Sequence, residues 1–192
     1  MYTPKEFTIP ELDGISQKNI EEHLGLYRGY VKNTNMILTA IESGSHEGYA
    51  LSELQRRFSF EFNGMRNHEY YFRSLEGGSS ALDPESDLAQ AISGEWGSFD
   101  AWLERIKVIA KTRGVGWAIL GYDTEAKKLL NYWVEEQHWG HLNSVQYIAG
   151  IDMWEHAFVA DYQPSGKGNY IDDYFAQVNW TNIAERFNKA SD

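Results

Sequence analysis

Two histidines in apolar surroundings are the first residues of this chain that could carry out chemistry. His23 and His68 lie within stripes of apolar residues at helical spacing. A lone histidine on such a stripe is more often a core residue, but two unpaired imidazoles in one core would cost free energy. A shared metal ion that takes both lone pairs removes this cost. The remaining histidines are His46, His138, His141 and His156, of which His46 and His141 receive no role.

A segment near residue 150 supplies two more candidate ligands. Asp152 and His156 are four residues apart, so on one helical turn they could reach a common point. The apolar run directly before them predicts a strand that would fix their position. Three imidazoles and one carboxylate form a set of nitrogen and oxygen ligands that suits iron or manganese and disfavours calcium. The sequence therefore predicts a mononuclear metal site with a solvent molecule as fifth ligand.

Two long helices are predicted to position His23 and His68. Ser16 fits the N-cap of a helix that runs to about residue 41, with Gly44 just beyond its end. A second helix is predicted over 49–75, where a pair of glycines stops it. The short loop between the two helices predicts an antiparallel helical hairpin, which we assign to residues 1–80 as an N-terminal unit.

The second unit, residues 81–192, is predicted to be an α/β lobe. Residues 76–95 are rich in Gly, Ser and Asp and predict a connection, and a helix is expected from about Ser98. The pattern then changes period, and runs of β-branched and aromatic residues predict strands, of which the first two form an antiparallel pair. The strands are expected over 117–122, 129–134 and 146–151, and two closing helices over 170–177 and 181–188. The predicted fold class is α+β.

Composition excludes several classes of protein. The 192 residues suffice for one compact domain or two small lobes. The formal net charge of −11 argues against nucleic acid as a partner. The absence of cysteine excludes thiol catalysis, disulfides and iron–sulfur ligation. Because no apolar run reaches the length of a membrane span or a signal peptide, we expect no membrane association and a cytoplasmic location.

Several motifs resemble the iron/manganese superoxide dismutase family over nearly the whole chain. Residues 152–157 read Asp-Met-Trp-Glu-His-Ala and are followed by Tyr162 and by Asn-Trp at 179–180. Residues 67–72, Asn-His-Glu-Tyr-Tyr-Phe, resemble the motif of the family's second helix, and residues 114–118, Gly-Val-Gly-Trp-Ala, resemble its Gly-x-Gly-Trp motif. The resemblance implies a helical hairpin followed by an α/β lobe with a three-stranded antiparallel sheet.

The activity that this resemblance implies is the disproportionation of superoxide to dioxygen and hydrogen peroxide. The cofactor would be one Fe or Mn ion per subunit. The implied metal ligands are His23, His68, Asp152 and His156. Two alternative functions on the same fold remain open, a non-redox metal-binding protein and a metal-dependent hydrolase.

The first helix departs from the family pattern. Family members carry a ligand His, a second His one turn later and a Tyr eight residues after the ligand. Here Tyr30 follows His23 by seven residues, and Tyr27 stands in the place of the second His. Loss of one residue from a π-bulge keeps all three on one helix face, whereas an alignment without a gap places Glu22 in the ligand position. We expect His23 as the ligand, Tyr30 beside the metal and Tyr27 on the access route.

A second departure concerns the amide that hydrogen-bonds the metal-bound solvent in family members. Iron-type members often supply a Gln four residues before the ligand His of the second helix, and Gly64 stands there. Manganese-type members place Gln or His on the segment after the second strand. The matching stretch contains His138, which we expect in this role, and Gln137, which is the alternative.

Glu155 predicts an oligomer. In the family, the Glu that directly precedes the last ligand His reaches across a two-fold axis to the ligand of the other subunit. Because the pair Glu155-His156 is present, the resemblance implies a homodimer, or a tetramer built from it. A second link across the subunits, between a first-helix His and a Tyr, is expected to be lost because Tyr27 and Val159 stand at those places.

Overall fold

The structure, a computed structural model, describes residues 1–192 and begins with a hairpin of two long helices. Helix α1 spans Gln17–Glu42 and helix α2 spans Gly48–Leu75. The Ser16 hydroxyl caps α1 by accepting a hydrogen bond from the Asn19 backbone N–H at 3.1 Å, as its residue type predicts. The helical hairpin is therefore confirmed.

One face of each helix is buried where the two helices pack together and against the rest of the chain. On α1 the buried residues recur at three- and four-residue intervals, which is the spacing of one helix face. They are Asn19, Ile20, His23, Tyr27, Val31, Thr34 and Ile37. Two polar aromatic side chains, His23 and Tyr27, are fully buried among them. Because buried polar groups need hydrogen-bond partners, the partners of His23 and Tyr27 indicate what each side chain does.

The segment after the hairpin contains a helix that the sequence did not predict. Helix α3 spans Asp87–Trp96, inside the stretch assigned to a connection, and helix α4 spans Phe99–Ala110 as expected. The Ser86 hydroxyl caps α3, and Leu88 and Ile92 are fully buried. The prediction of a connection was wrong because the high content of small and polar residues masked two core positions at helical spacing.

A three-stranded antiparallel sheet forms the centre of the second half, as predicted. Its strands are β1 (Gly116–Asp123), β2 (Lys128–Glu135) and β3 (Val145–Asp152), in the order β2-β1-β3. The central strand β1 is buried along nearly its whole length. Trp117 at its start pairs with Asp152 at the end of β3. This register brings the end of β3 to the edge of the sheet that faces the hairpin.

The chain after β3 differs from a simple helical turn. A short 3₁₀ helix spans Glu155–Ala157. The expectation that Asp152 and His156 share one turn of an α-helix is therefore wrong. Asp152 is the last residue of a strand, and the tight turn that follows returns His156 toward it. Helices α5 (Lys167–Gln177) and α6 (Trp180–Ser191) complete the fold. The α+β class is confirmed.

One hydrophobic core holds the two halves together. A cluster of 37 buried apolar residues includes members of α1, α2, the sheet, and α3 to α6. The division into units at residues 1–80 and 81–192 stays a prediction. No helix is both long and apolar enough to cross a membrane.

Candidate metal centre

Four side chains from separate parts of the chain meet in the core between the hairpin and the sheet. They are His23 of α1, His68 of α2, Asp152 at the end of β3 and His156 of the 3₁₀ helix, and their ligand atoms all lie within 4.8 Å of one another. The first three residues are fully buried. Residues that are more than 120 positions apart in sequence thus converge on one point.

The convergence is centred on one carboxylate oxygen. The Nε2 atoms of His23, His68 and His156 lie 3.2, 3.5 and 3.3 Å from Asp152 Oδ2. The Nε2 atoms of His68 and His156 are buried and have no hydrogen-bond partner. Buried polar atoms are rarely left in this state. The arrangement therefore calls for a group that accepts lone pairs from several sides.

Neighbouring groups orient the candidate ligands. His68 Nδ1 lies 2.6 Å from the Gly64 carbonyl oxygen, to which it can only donate, so Nε2 presents its lone pair to the cluster. Asp152 Oδ1 accepts a hydrogen bond from the Trp154 backbone N–H at 2.8 Å. The Tyr170 hydroxyl donates to the Asp152 carbonyl at 2.9 Å. Asp152 is thus held so that Oδ2 faces the histidines.

Burial sets the protonation states at the cluster. Burial lowers the pKa of His23, and burial together with His23 lowers the pKa of His68 to about 3. Burial alone would raise the pKa of Asp152, but His156 and His23 hold it below its usual range. Near neutral pH the two imidazoles are therefore neutral and the carboxylate is ionised, which are the forms that bind metals.

The residues present fit a metal ion. Bonds of about 2.0–2.2 Å from nitrogen and oxygen to a first-row metal place opposite ligands up to about 4.4 Å apart, close to the 4.8 Å limit within which these atoms lie. Three nitrogens and one oxygen, with no sulfur, suit the middle of the first row. Because two Nε2 atoms have no partner, an ion at this point would also remove their cost of burial.

Glu22, the alternative ligand on the first helix, lies elsewhere. Its side chain is 61% exposed and contacts Lys18 at 3.8 Å on the outer face of α1. His23 is fully buried and 3.2 Å from Asp152 Oδ2. The structure thus places His23, not Glu22, in the cluster.

A hydrogen-bonded chain lies beside the cluster, and its middle member is Gln137. The Trp117 indole N–H donates to Gln137 Oε1 at 2.9 Å, and Gln137 Nε2 donates to the Tyr30 hydroxyl at 3.0 Å. The Tyr30 ring lies 5.0 Å from the His68 ring. Both hydrogen bonds require an amide, which offers a donor and an acceptor on one side chain.

His138, the residue first expected in this position, points elsewhere. Its ring is half-buried and packs against Phe60 at 5.6 Å between centroids. Gln137 is fully buried, its backbone carbonyl accepts a hydrogen bond from the Asn67 side chain at 3.1 Å, and Glu136 before it adopts φ +52°. This bend of the chain directs the Gln137 side chain, and not His138, toward Tyr30 and Trp117.

Gly64 makes room for Tyr30. A Cβ atom added at Gly64 would lie 2.4 Å from Cδ1 of the Tyr30 ring. Any larger residue there, including the Gln that resemblance to iron-type members suggests, would displace the tyrosine. The absence of a side chain at Gly64 therefore leaves room for the Tyr30 ring, whose hydroxyl accepts the hydrogen bond from Gln137.

Tyr27 does not lie on an open route to the cluster. It is fully buried; its hydroxyl donates to Glu69 at 3.2 Å and accepts from the Lys5 backbone N–H at 2.8 Å. The buried Glu69 carboxylate also pairs with Lys5 and Arg66, at 2.8 and 2.7 Å. Tyr27 thus ties the ligand-bearing helices to the N-terminal segment, which contradicts its assignment to the access route. Sequence analysis missed this network because charged residues on α2 suggest solvent exposure.

Two tryptophans and a phenylalanine wall the cluster. The Trp117 ring lies 5.1 Å from His68, and the Trp154 ring stacks on His156 at 5.7 Å. The Phe60 ring lies 6.0 Å from Tyr30 and 6.4 Å from Trp154. His46 and His141 are outside the cluster. Phe60 was missed as a wall residue because it lies outside the apolar stripe that predicted the buried face of α2.

Comparison with known proteins gives one family. Residues 84–186 match the model of the family described as iron/manganese superoxide dismutases, C-terminal domain. The matched range contains Trp117, Gln137, Asp152 and His156. His23 and His68 lie outside that range.

Full-length relatives give a consistent result. The chain is 33% identical to a superoxide dismutase [Mn] of Nocardia asteroides, with 96% of this chain and 94% of the relative covered. It is 30% identical to proteins of the same name from Mycobacterium lepraemurium and Mycolicibacterium smegmatis, with 97% of this chain and 95% of each relative covered. The similarity thus extends over nearly the whole chain.

Proposed function

The chain belongs to the iron/manganese superoxide dismutase family, and we propose that it disproportionates superoxide at the cluster of His23, His68, Asp152 and His156. Two superoxide ions and two protons give one dioxygen and one hydrogen peroxide. The observation that carries the proposal is the meeting of three imidazole nitrogens around one buried carboxylate oxygen, at 3.2–3.5 Å, next to the chain of Tyr30, Gln137 and Trp117.

The proposed cofactor is one Fe or Mn ion per chain, held by these four residues. When bound, the ion supplies the one-electron redox couple that accepts an electron from one superoxide and gives an electron to a second. Two features favour manganese. The amide is on the segment after β2, where manganese-type members carry it, and the relatives are named superoxide dismutase [Mn]. Reconstitution with each metal separately would compare the two activities.

The protein supplies a hydrogen-bond donor beside the cluster and keeps the site closed. Burial, with nearby Asp152 and Glu61, raises the pKa of Tyr30, so near neutral pH its hydroxyl keeps its proton and can donate a hydrogen bond. Gln137 holds this hydroxyl at 3.0 Å, and Trp117 in turn holds Gln137. Trp117 and Trp154 exclude water from the cluster, which strengthens the electrostatic interactions within it.

Replacing Tyr30 with phenylalanine should slow turnover while the metal stays bound. The change removes the hydroxyl that Gln137 contacts but keeps the ring against His68. Replacing a side chain that lies directly behind the ligands of a metal site typically reduces activity by about 10- to 100-fold. Superoxide decay after pulse radiolysis, with metal content measured in parallel, would check this. Equal rates for the variant and wild type between pH 6 and 10 would make Tyr30 a packing residue only.

The activity itself is tested against both alternatives in one set of assays. Metal-loaded and metal-stripped protein are compared for superoxide decay and for hydrolysis of activated esters and phosphate esters. We expect rapid superoxide decay only with the metal, and no hydrolysis above background. Hydrolysis without superoxide decay would favour a metal-dependent hydrolase. A bound metal with neither activity would favour a non-redox metal-binding protein.

We further propose a homodimer, or a tetramer built from it, in which Glu155 accepts a hydrogen bond from His156 of the other subunit. In the single chain, the Glu155 side chain is exposed and makes no salt bridge. The His156 side chain is 22% exposed although its Nε2 is buried in the cluster, so its outer edge can be reached by a partner. Val159, three residues on, is 46% exposed and apolar, which suits a contact between subunits.

Replacing Glu155 with alanine should shift the protein toward monomer and weaken metal binding. The carboxylate would orient the His156 ring from the other subunit, and such partners are worth about 10- to 100-fold in metal affinity. Sedimentation velocity with metal analysis would measure both effects. Glu125→Ala, at the exposed turn between β1 and β2, is the matched control and should change neither. A wild-type monomer at micromolar concentration would contradict the proposal.

The proposed cytoplasmic location can be checked by cell fractionation.

A further inference from the structure

Phe60 connects the metal cluster to the outside of the protein. Its ring contacts Tyr30 and Trp154, each of which packs on a candidate ligand histidine. The residue itself is only 6% exposed. Whatever covers the outer side of this ring therefore lies at the mouth of the site.

Arg57 covers Phe60. Its guanidinium carbon lies 3.4 Å from the centre of the Phe60 ring, which is a close cation–π contact. The Arg57 side chain is 45% exposed, and its Nε lies 3.4 Å from Glu61 Oε1. Its two terminal nitrogens donate to no group of the protein. A fixed cation with unused donors thus faces solvent one aromatic ring away from Tyr30.

Other cations in this part of the chain are already used. Arg56 makes three hydrogen bonds to the Glu53 carboxylate, at 2.7–3.1 Å. Lys5 and Arg66 both pair with Glu69. The Glu61 carboxylate is nearly buried and accepts from Asn33 at 3.2 Å, so it does not depend on Arg57 alone. Arg57 is the cation whose donors remain available at the mouth.

The net charge of the chain makes a local cation necessary for an anionic substrate. At −11 the protein repels anions at long range, and attraction must come from charges close to the site.

We infer that Arg57, seated on Phe60, forms a binding site for small monovalent anions at the mouth of the metal cluster and guides superoxide into it. The inference rests on the proposed function. A guanidinium offers N–H donors in a planar fork that suits a small oxyanion or azide, and the Phe60 ring fixes its position. An anion held there is separated from the ligand histidines by Phe60 and by the Tyr30 or Trp154 ring.

The test uses metal-loaded protein and three variants. Arg57→Gln removes the charge, Arg57→Lys keeps it, and Arg105→Gln makes the same change in net charge on the exposed side of α4. The probe is azide, whose affinity for the oxidised metal is measured from the visible spectrum and should rise with the positive potential that Arg57 supplies at the mouth. The second measurement is kcat/KM for superoxide as a function of ionic strength. Metal content is measured for every sample.

We expect Arg57→Gln to weaken azide binding about threefold and to lower kcat/KM about three- to tenfold at low ionic strength, with a shallower salt dependence than wild type. Arg57→Lys should retain most of the azide affinity and most of kcat/KM, and Arg105→Gln should match wild type. Azide affinity and salt dependence unchanged in Arg57→Gln at full metal content would overturn the inference while leaving the proposed function intact. A metal-loaded wild type that does not consume superoxide would overturn the proposed function, and azide binding would then decide the anion site alone.

Discussion

Replacing His68 with alanine should abolish metal binding and dismutase activity together. His68 is fully buried, its Nδ1 is committed to the Gly64 carbonyl at 2.6 Å, and its Nε2 has no partner within the protein. Because groups that merely orient a ligand are worth about 10- to 100-fold in affinity, loss of a ligand should cost more than 100-fold. Metal analysis after dialysis and the rate of superoxide decay would measure the two losses.

Two matched sets of variants separate ligand loss from general destabilisation. His141→Ala removes a half-buried imidazole outside the cluster and should keep the metal. On the first helix, His23→Ala should lose the metal and Glu22→Ala should keep it, because only His23 lies beside Asp152. Helix content by circular dichroism should stay close to wild type in all of them. The reverse result on the first helix would mean that Glu22 is the ligand.

Replacing Gln137 with leucine should lower both turnover and stability while the metal stays bound. The side chain is fully buried and joins Trp117 to Tyr30 through two hydrogen bonds. Leucine has a similar volume but leaves both partners unsatisfied, which costs about 1–3 kcal/mol for each buried group. We expect turnover to fall by about 10- to 100-fold and the melting temperature to fall, with the metal retained. Pulse radiolysis and calorimetry on metal-quantified protein would measure both.

The comparison variant is His138→Leu, which changes the neighbouring side chain. His138 is half-buried against Phe60 and makes no hydrogen bond to Tyr30. Its replacement should therefore affect turnover much less than the loss of Gln137. A larger loss in His138→Leu than in Gln137→Leu would mean that His138 acts beside the metal, as the sequence first suggested.

Local sequence patterns were sufficient for most of the fold. The apolar stripes of α1 and α2, the cap at Ser16 and the change of period near residue 116 each depend on neighbours within a few positions. These short-range patterns can be recognised in the sequence without knowledge of tertiary contacts. Helix α3 was missed because its apolar face consists of few residues, chiefly Leu88 and Ile92, within a stretch typical of loops.

The site was predictable only where chemistry and spacing agreed. The grouping of His23, His68, Asp152 and His156 follows from residue types that together suit a metal. The choice between Gln137 and His138 depends on the left-handed backbone at Glu136, which no side-chain pattern encodes. Tyr27 turned inward because Glu69, Lys5 and the backbone offer it partners that only the folded chain assembles.

The dependence of superoxide decay on metal content shows most directly whether the cluster of His23, His68, Asp152 and His156 is a dismutase site. Metal-stripped protein is titrated with manganese, and in a separate series with iron, and the decay rate is measured at each point by pulse radiolysis. We expect a rate that rises linearly with the metal and becomes constant at one ion per chain, and no such rise in His68→Ala. A wild-type rate that stays at the uncatalysed value with one ion bound per chain would contradict this expectation.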